Sequence, residues 1–201
     1  SQLKKFLNTN CGSNSAEILN NSEWMKDYSF VDFIRHVGKS FTVNYMMSKD
    51  SVKNRLMNDG EGMSFTEFSY QLIQANDFLW LNYHKHCKLQ MGGSDQWGNI
   101  TSGNELIKKT RGGASESYCN TTNLILKSDG NKKKKTENGN IWLDKNKTSP
   151  YQFYQFWIKS SDDDAYKFLK IFTLLSLEEI ESLKTQHDES PEQNIMQKML
   201  A

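Results

Sequence analysis

The sequence has little net charge, few cysteines and no long apolar run. The 201 residues carry a formal net charge of +1, so a nucleic acid would have to be bound by a local basic patch and not by the chain as a whole. The three cysteines, Cys11, Cys87 and Cys119, are irregularly spaced, which favours reduced thiols inside a cell. No apolar run approaches the length of a membrane span. We therefore expect an intracellular chain with no membrane partner, in the cytoplasm or in the matrix of an organelle such as a mitochondrion or plastid.

A metal site is not indicated either. His84, His86 and Cys87 are close in sequence, but a closed site needs four ligands and no second pair of ligands has useful spacing. The hydrophobic fraction is only 36%, yet the periodic segments are apolar. The length predicts one domain, or one domain with a small helical annex.

The most informative stretch is residues 88–99, Lys-Leu-Gln-Met-Gly-Gly-Ser-Asp-Gln-Trp-Gly-Asn. It predicts a short strand, a turn through two glycines, Ser94 as an N-cap and a helix from about Asp95 to Lys109. Such a corner can bind an anion or a nucleotide, because glycine admits the ligand to the backbone and the free N–H groups of the helix face it. Asp95 and Gln96 at its mouth can bond to ribose hydroxyls. On spacing alone, a corner with a polar cap and no ligand is an equally good interpretation.

A second stretch opens with a capping box, Ser-Phe-Thr-Glu at 64–67, which predicts a long helix to about Asn82. On this helix Tyr70, Gln74 and Asp77 are spaced i, i+4 and i+7, so they share one face. One interpretation is a solvated polar stripe. The other is a binding face, because a phenol, an amide and a carboxylate suit a ligand that carries both a hydroxyl and an ammonium group.

Turn and cap residues predict the remaining elements. Helices are expected over 16–25, over 48–58, between Ser29 and Gly38, and after Ser149, Ser161, Ser176 and Ser190, with extended segments at 41–45, 123–126 and 141–143. The aromatic helix from Pro150 to Lys159 is expected to be core and not a platform for stacking bases. Residues 132–136, Lys-Lys-Lys-Lys-Thr, are the only concentrated positive patch of the sequence, and most such runs are solvated loops.

These motifs resemble those of the bacterial-type, that is bacterial and organellar, tyrosyl-tRNA synthetases, which are class I enzymes. The resemblance is strongest at Gly-Gly-Ser-Asp-Gln-Trp-Gly-Asn-Ile, 92–100, and it extends to segments 43–51, 63–70, 136–139, 141–144 and 147–157. It implies an α/β fold: residues 1–145 would be the second half of a Rossmann-type catalytic domain, and residues 146–201 a truncated helical linker region.

The resemblance also implies a tyrosine pocket. By this comparison Tyr70 and Gln74 hold the α-ammonium group, Asp77 accepts the phenolic hydroxyl, and Gln90 lies nearby on the strand. A buried acceptor rejects an analogue that lacks the hydroxyl, and tyrosyl-tRNA synthetases are themselves a standard example of this effect.

ATP would lie at the glycine corner, with Gly93, Asp95 and Gln96, and against the signature loop of class I synthetases. In that loop Lys132 and Lys135 match the two catalytic lysines, and Thr136 matches the terminal hydroxyl residue. The sequence departs from the pattern at Lys133 and Lys134, where the family usually has an apolar residue and then a small one. Two extra cations put the usual packing of that loop in doubt.

The implied activity is ATP-dependent activation of tyrosine and its transfer to tRNA(Tyr), with ATP and Mg²⁺ as substrate and no tightly bound cofactor. A homodimer is also implied, and Phe65 matches an aromatic residue at its two-fold interface. The alternatives are a tryptophanyl-tRNA synthetase-like enzyme and a non-catalytic, synthetase-derived RNA-binding or scaffold protein.

The first signature of class I enzymes, His-Ile-Gly-His or similar, is not found in the sequence. None of His36, His84, His86 and His187 has the required spacing, and residues 1–40 already resemble the middle of the catalytic domain. The resemblance therefore implies a fragment, and residues 1–201 alone are expected to be inactive.

Overall fold

A computed structural model describes residues 2–58, 62–112, 116–126 and 141–201. The chain divides into two compact units. The sheet unit comprises residues 18–124, and the helical unit comprises residues 1–17 and 125–201. The domain boundary expected at residue 145 stays a prediction.

The sheet unit combines short helices, one long helical pair and two strands. In chain order its elements are α1 (Ser22–Met25), α2 (Phe30–His36), α3 (Val43–Met47), α4 (Asp50–Asn58), α5 (Phe65–Lys85), β1 (Leu89–Gly93), α6 (Trp97–Arg111) and β2 (Tyr118–Thr122), with 3-10 turns at Gly38–Ser40 and Ser94–Gln96. The predicted α/β architecture is therefore present.

Helix α5 begins at the predicted capping box. The Ser64 hydroxyl accepts from the Glu67 N–H at 3.2 Å, and the Glu67 carboxylate accepts from the Ser64 N–H at 3.1 Å. These two bonds satisfy N–H groups that a helix start leaves without partners. The helix ends at Lys85, three residues beyond the predicted end. The next residue, His86, adopts the left-handed conformation with φ 54°.

The core of the sheet unit is centred on α5 and α6, which pack along each other, and also includes Val37, Phe41 and Met46. Ala75, Phe78, Leu106 and Ile107 have no exposed surface. A methyl group added at the buried Gly103 of α6 would lie 2.9 Å from a ring carbon of Phe78. The absence of a side chain at Gly103 is therefore what allows the two helices to come this close.

Strands β1 and β2 are parallel, with Gln90 opposite Cys119 and Gly93 opposite Thr122. Helix α6 follows β1 after the 3-10 turn at Ser94–Gln96 and packs against both strands as well as against α5. The carboxyl end of β1 leads toward α6, so the glycine corner lies next to the packed helices α5 and α6.

Two predictions for the first fifty residues are wrong. Residues 41–45 are not an extended segment: Phe41 is extended, but the Thr42 hydroxyl caps α3 by accepting from the Tyr45 N–H at 3.2 Å. A side-chain cap of this kind turns the chain even where the residue types favour a strand. The helix predicted over 16–25 is limited to α1.

The two strands predicted later in the chain are also wrong. The strand predicted over 123–126 lies earlier, at β2, and residues 123–125 have no regular structure. Residues 141–143 form no strand. There the Trp142 N–H donates to the Thr148 hydroxyl at 2.9 Å, so a side chain takes the donor that a neighbouring strand would need.

The helical unit contains α7 (Pro150–Ile158), α8 (Asp162–Phe172), α9 (Leu177–Glu189) and α10 (Ile195–Leu200). Ser149, Ser161 and Ser176 cap the first three helices as predicted. The segment after Ser190 differs, because a 3-10 turn at Pro191–Gln193 precedes α10.

The aromatic residues of α7 differ in their burial. Trp157 is buried and lies 5.1 Å from Phe172 and 5.9 Å from Phe168, measured between ring centroids. Tyr151 is 71% exposed. The prediction of a core helix is therefore confirmed for Trp157 and wrong for Tyr151, because a helix in this unit buries one face and leaves the other in water.

Alanine substitution of two glycines in α6 tests the close contact of α5 and α6. Gly103→Ala should lower the free energy of unfolding by about 1–3 kcal/mol, because the added carbon overpacks the buried Phe78 ring. Gly98→Ala is the matched control: its added carbon lies 3.5 Å from Lys49 side-chain atoms, an ordinary contact. Urea denaturation measures both variants. Equal stability of the two would show that Gly103 is not at a tight contact.

Candidate functional site

The predicted tyrosine-binding face lies on α5. Tyr70 is 56% exposed, whereas Gln74 and Asp77 are partly buried. The three residues therefore run from the surface toward the interior along one side of the helix. The polar face predicted from spacing is not a uniformly solvated stripe.

Asp77 is held by two side chains from the segment at the start of α1. Trp24 Nε1 donates to Asp77 Oδ1 at 2.8 Å, and Asn21 Nδ2 donates to Asp77 Oδ2 at 3.1 Å. Partial burial raises the pKa of the Asp77 carboxyl group above its ordinary value, and the two hydrogen bonds oppose this rise. Both oxygens thus have fixed directions.

Asn21 and Trp24 are site residues that the sequence alone does not indicate. The only signal is an amide and an indole three residues apart in a short predicted helix, and this spacing is common. Their role appears only when α1 is placed beside α5, more than fifty positions away in sequence.

The glycine corner has the predicted order of strand, glycines and helix. The helix entry differs, because Ser94 lies inside a 3-10 turn and is not a side-chain N-cap. Its carbonyl oxygen accepts from the Trp97 N–H, where α6 begins. A 3-10 turn tightens the entry so that the backbone itself provides this acceptor.

The glycines are required by packing. A methyl group on Gly93 would lie 2.8 Å from Asp95 Oδ1 and 2.9 Å from a methyl carbon of Leu124, and one on Gly92 would lie 3.1 Å from Ile100 Cδ1. Gly93 has an ordinary extended backbone, with φ −70°. The absent side chain therefore allows the Asp95 carboxylate to fold back over the end of β1.

The polar groups around this corner are accessible to a ligand. Asp95 is exposed and Gln96 is partly buried, and Gln96 Oε1 accepts from Asn99 Nδ2 at 3.3 Å. In the part of the chain that the structure describes, Gln90 Oε1 on β1 is buried and has no hydrogen-bond donor. A buried acceptor without a donor is costly, which favours a ligand donor beside β1.

Comparison with known proteins decides the family. The model of the family "tRNA synthetases class I (W and Y)" matches residues 1–201. The chain belongs to this synthetase family.

The curated relatives are similar over the entire chain. It is 57% identical to the tyrosine–tRNA ligases of Parabacteroides distasonis and Bacteroides thetaiotaomicron and 54% identical to that of Flavobacterium johnsoniae, with 100% of this chain covered in each case. The matches cover 46%, 46% and 47% of those relatives. The chain therefore spans about half the length of the synthetases that it matches.

Solved structures agree with this assignment. C-terminally truncated mitochondrial tyrosyl-tRNA synthetases of Coccidioides posadasii and Aspergillus nidulans match with a TM-score of 0.69 each, at 31% and 33% identity. Each match covers 90% of this chain and 51% of the other. The predicted fold, part of a class I synthetase domain followed by helices, is confirmed.

The remaining predicted site residues are those of the lysine loop, 132–136, and Phe65. Lys132, Lys135 and Thr136 lie outside the described residues, as do Lys133 and Lys134. Phe65 is the first residue of α5 and is 65% exposed. The roles of all the predicted site residues of this synthetase stay predictions.

Among the described residues, no three histidine, cysteine, aspartate or glutamate side chains are grouped so that they could hold a metal ion. No helix over the same residues is long and apolar enough to cross a membrane.

The hydrogen bond from the Trp24 indole to Asp77 can be tested by measuring the pKa of Asp77. Trp24→Phe should raise the pKa of Asp77 further, because the hydrogen bond that stabilises the charged form is lost while the burial remains. The ¹³C chemical shift of the Asp77 carboxyl carbon, followed against pH, measures this. Trp97→Phe, at an exposed tryptophan of α6, is the control and should leave the Asp77 pKa unchanged. An unaltered pKa in Trp24→Phe would contradict the bond.

Proposed function

We propose that the protein containing this chain is a tyrosine–tRNA ligase, which activates tyrosine with ATP and transfers it to tRNA(Tyr). The matched relatives carry this name at 54–57% identity over 98–100% of the chain. The structural observation that carries the proposal is the partly buried Asp77 carboxylate, oriented by Trp24 and Asn21 beside Tyr70 and Gln74.

Asp77 is suited to accept a phenolic hydroxyl. A carboxylate offers about four acceptor positions, and the two donors from α1 use two of them. Tyrosine would donate to a third, whereas phenylalanine would leave it unpaired in a partly buried place. Gln74 and Tyr70, one and two helical turns from Asp77 on the same face, would bind the α-ammonium group.

The carboxyl end of β1 is suited to ATP. Asp95 would accept hydrogen bonds from ribose hydroxyls, and Gln96 and the backbone at Gly93 would border the α-phosphate. The tyrosine carboxylate attacks the α-phosphate, tyrosyl-adenylate forms and pyrophosphate leaves with Mg²⁺. Lys132 and Lys135 would stabilise the charge that develops on the phosphates. Catalysis here is positioning and charge stabilisation, with no covalent side-chain intermediate.

The proposal is tested by pyrophosphate exchange in the full-length protein. Exchange of pyrophosphate into ATP should depend on tyrosine and not on tryptophan. Exchange with tryptophan alone would favour the tryptophanyl enzyme. Salt-dependent RNA binding without amino-acid activation would favour a non-catalytic RNA-binding protein, which would use the basic residues 132–135.

Asp77→Ala should lower the preference for tyrosine over phenylalanine. Hydrogen bonds to charged groups contribute about 1.5–3 kcal/mol, so the ratio of kcat/KM for the two amino acids should fall about ten- to a hundredfold. Asp27→Ala, at an exposed carboxylate of the same unit, is the control. Equal loss of activity toward both amino acids would show that Asp77 is structural.

The lysine loop predicts a different kinetic change. Lys132→Ala or Lys135→Ala should slow adenylate formation by about one to three orders of magnitude, with the tyrosine Kd hardly changed, because these cations act on the phosphates. Lys133→Ala and Lys134→Ala are matched controls within the same run and should retain the rate. Single-turnover kinetics measures it. Weaker tyrosine binding at an intact rate would indicate a solvated loop.

A further inference from the structure

Three rings form a stack that begins beside the Asp77 carboxylate. The Trp24 and Trp80 rings are parallel, with an interplanar angle of 11° and centroids 4.2 Å apart. His84, one turn further along α5, lies over Trp80 at 4.5 Å and 28°. Trp24 is buried, Trp80 is partly buried and His84 is exposed, so the stack runs from the interior to the surface.

The Trp24 indole is held at both its edge and its face. Its N–H edge donates to Asp77, and its face lies on Trp80. Asp77 and Trp80 are i and i+3 on α5, so they are neighbours on the helix surface. The Trp24 indole therefore contacts both the Asp77 carboxylate and the Trp80 ring, and Trp80 is not one of the three polar residues of the face.

The segment that carries Trp24 cannot hold this position by itself. Helix α1 has four residues, and an isolated helix of that length is not stable. Two further hydrogen bonds described between this segment and α5 join Asn21 to Asp77 and Asn76 Nδ2 to Met25 Sδ, the latter at 3.3 Å. Neither of these contacts fixes the plane of the indole, whereas a parallel ring does.

We infer that Trp80 is a positioning residue for amino-acid recognition: by stacking on Trp24 it keeps the indole N–H directed at Asp77, and His84 covers its outer face. The inference rests on the proposed role of Asp77 in tyrosine binding. Trp80 itself touches no substrate in this scheme. It acts through Trp24, and its effect should therefore appear in specificity more than in general activity.

The physical consequence of removing Trp80 follows from the stack. The Trp24 ring gains freedom to rotate, and its N–H then leaves Asp77 for part of the time. The carboxylate loses a fixed direction, so the hydrogen bond to the tyrosine hydroxyl weakens. Phenylalanine makes no such bond and should be activated as before.

The test uses kcat/KM for tyrosine and for phenylalanine in pyrophosphate exchange by the full-length protein. Trp80→Ala should lower the ratio of tyrosine to phenylalanine about tenfold, the equivalent of losing one charge-assisted hydrogen bond. Trp80→Phe, which keeps a ring, should restore most of the ratio. Leu79→Ala is the matched control, since Leu79 precedes Trp80 on α5, is also partly buried and packs against the core away from Asp77; it should leave the ratio unchanged.

A double-mutant cycle separates positioning from general destabilisation. Trp24→Phe removes the donor, so Trp80→Ala should lower the ratio no further in that background. Two independent, multiplying losses would overturn the inference. If the Trp80→Ala protein does not fold, Trp80→Leu replaces it, because leucine fills part of the volume of the indole but has no ring that can stack on Trp24.

Two outcomes distinguish this inference from the proposed function. If Asp77→Ala leaves the ratio unchanged, the role of Asp77 in tyrosine recognition fails. If Asp77→Ala lowers the ratio and Trp80→Ala does not, the role of Trp80 is overturned and the proposed function stands. The stack has its own readout: two stacked indoles couple through their strong far-ultraviolet transition in circular dichroism, and the coupled signal should be lost in Trp80→Phe even where activity is retained.

Discussion

The close approach of α5 and α6 at Gly103 and Phe78 is the contact on which the sheet unit depends. Helix α5 carries the polar face of Tyr70, Gln74 and Asp77, and α6 begins at the glycine corner. Because α6 also packs on both strands, the contact holds the polar face of α5 and the glycine corner together within the sheet unit. A larger residue at 103 would separate the helices, and with them the two halves of the candidate site.

The short helix α1 is positioned by its contacts with α5. Helix α1 is too short to be stable alone and is anchored on α5 through Asp77 and Trp80. The same contacts orient the Asp77 carboxylate, so the orientation of this carboxylate depends on the placement of α1. A carboxylate fixed before the ligand arrives loses little entropy on binding. This preorganisation is consistent with a site that must distinguish two amino acids by one hydroxyl group.

The helix starts could be predicted well because their signals are local. Ser29, Ser64, Ser149, Ser161 and Ser176 each accept from an N–H three residues later, and such a bond depends only on nearby residues. The strands after the glycine corner could not be predicted in the same way. Whether a short segment pairs depends on a partner far along the chain, as β2 depends on β1, and Thr42 and Thr148 redirect the backbone with side-chain bonds that composition does not reveal.

By itself, the sequence determined the family, the order of the corner and the shared face of Tyr70, Gln74 and Asp77, because these follow from motif spacing and from the helical repeat. Only the tertiary structure decided how Asp77 is held. Its donors, Asn21 and Trp24, lie more than fifty residues away, and neither has a local signal that points to α5. Only the tertiary structure, too, revealed that Gly92 and Gly93 are glycines because Asp95, Leu124 and Ile100 occupy the space of a side chain. Leu124 lies about thirty residues beyond Gly93, and its contact arises only when the segment after β2 packs against the end of β1.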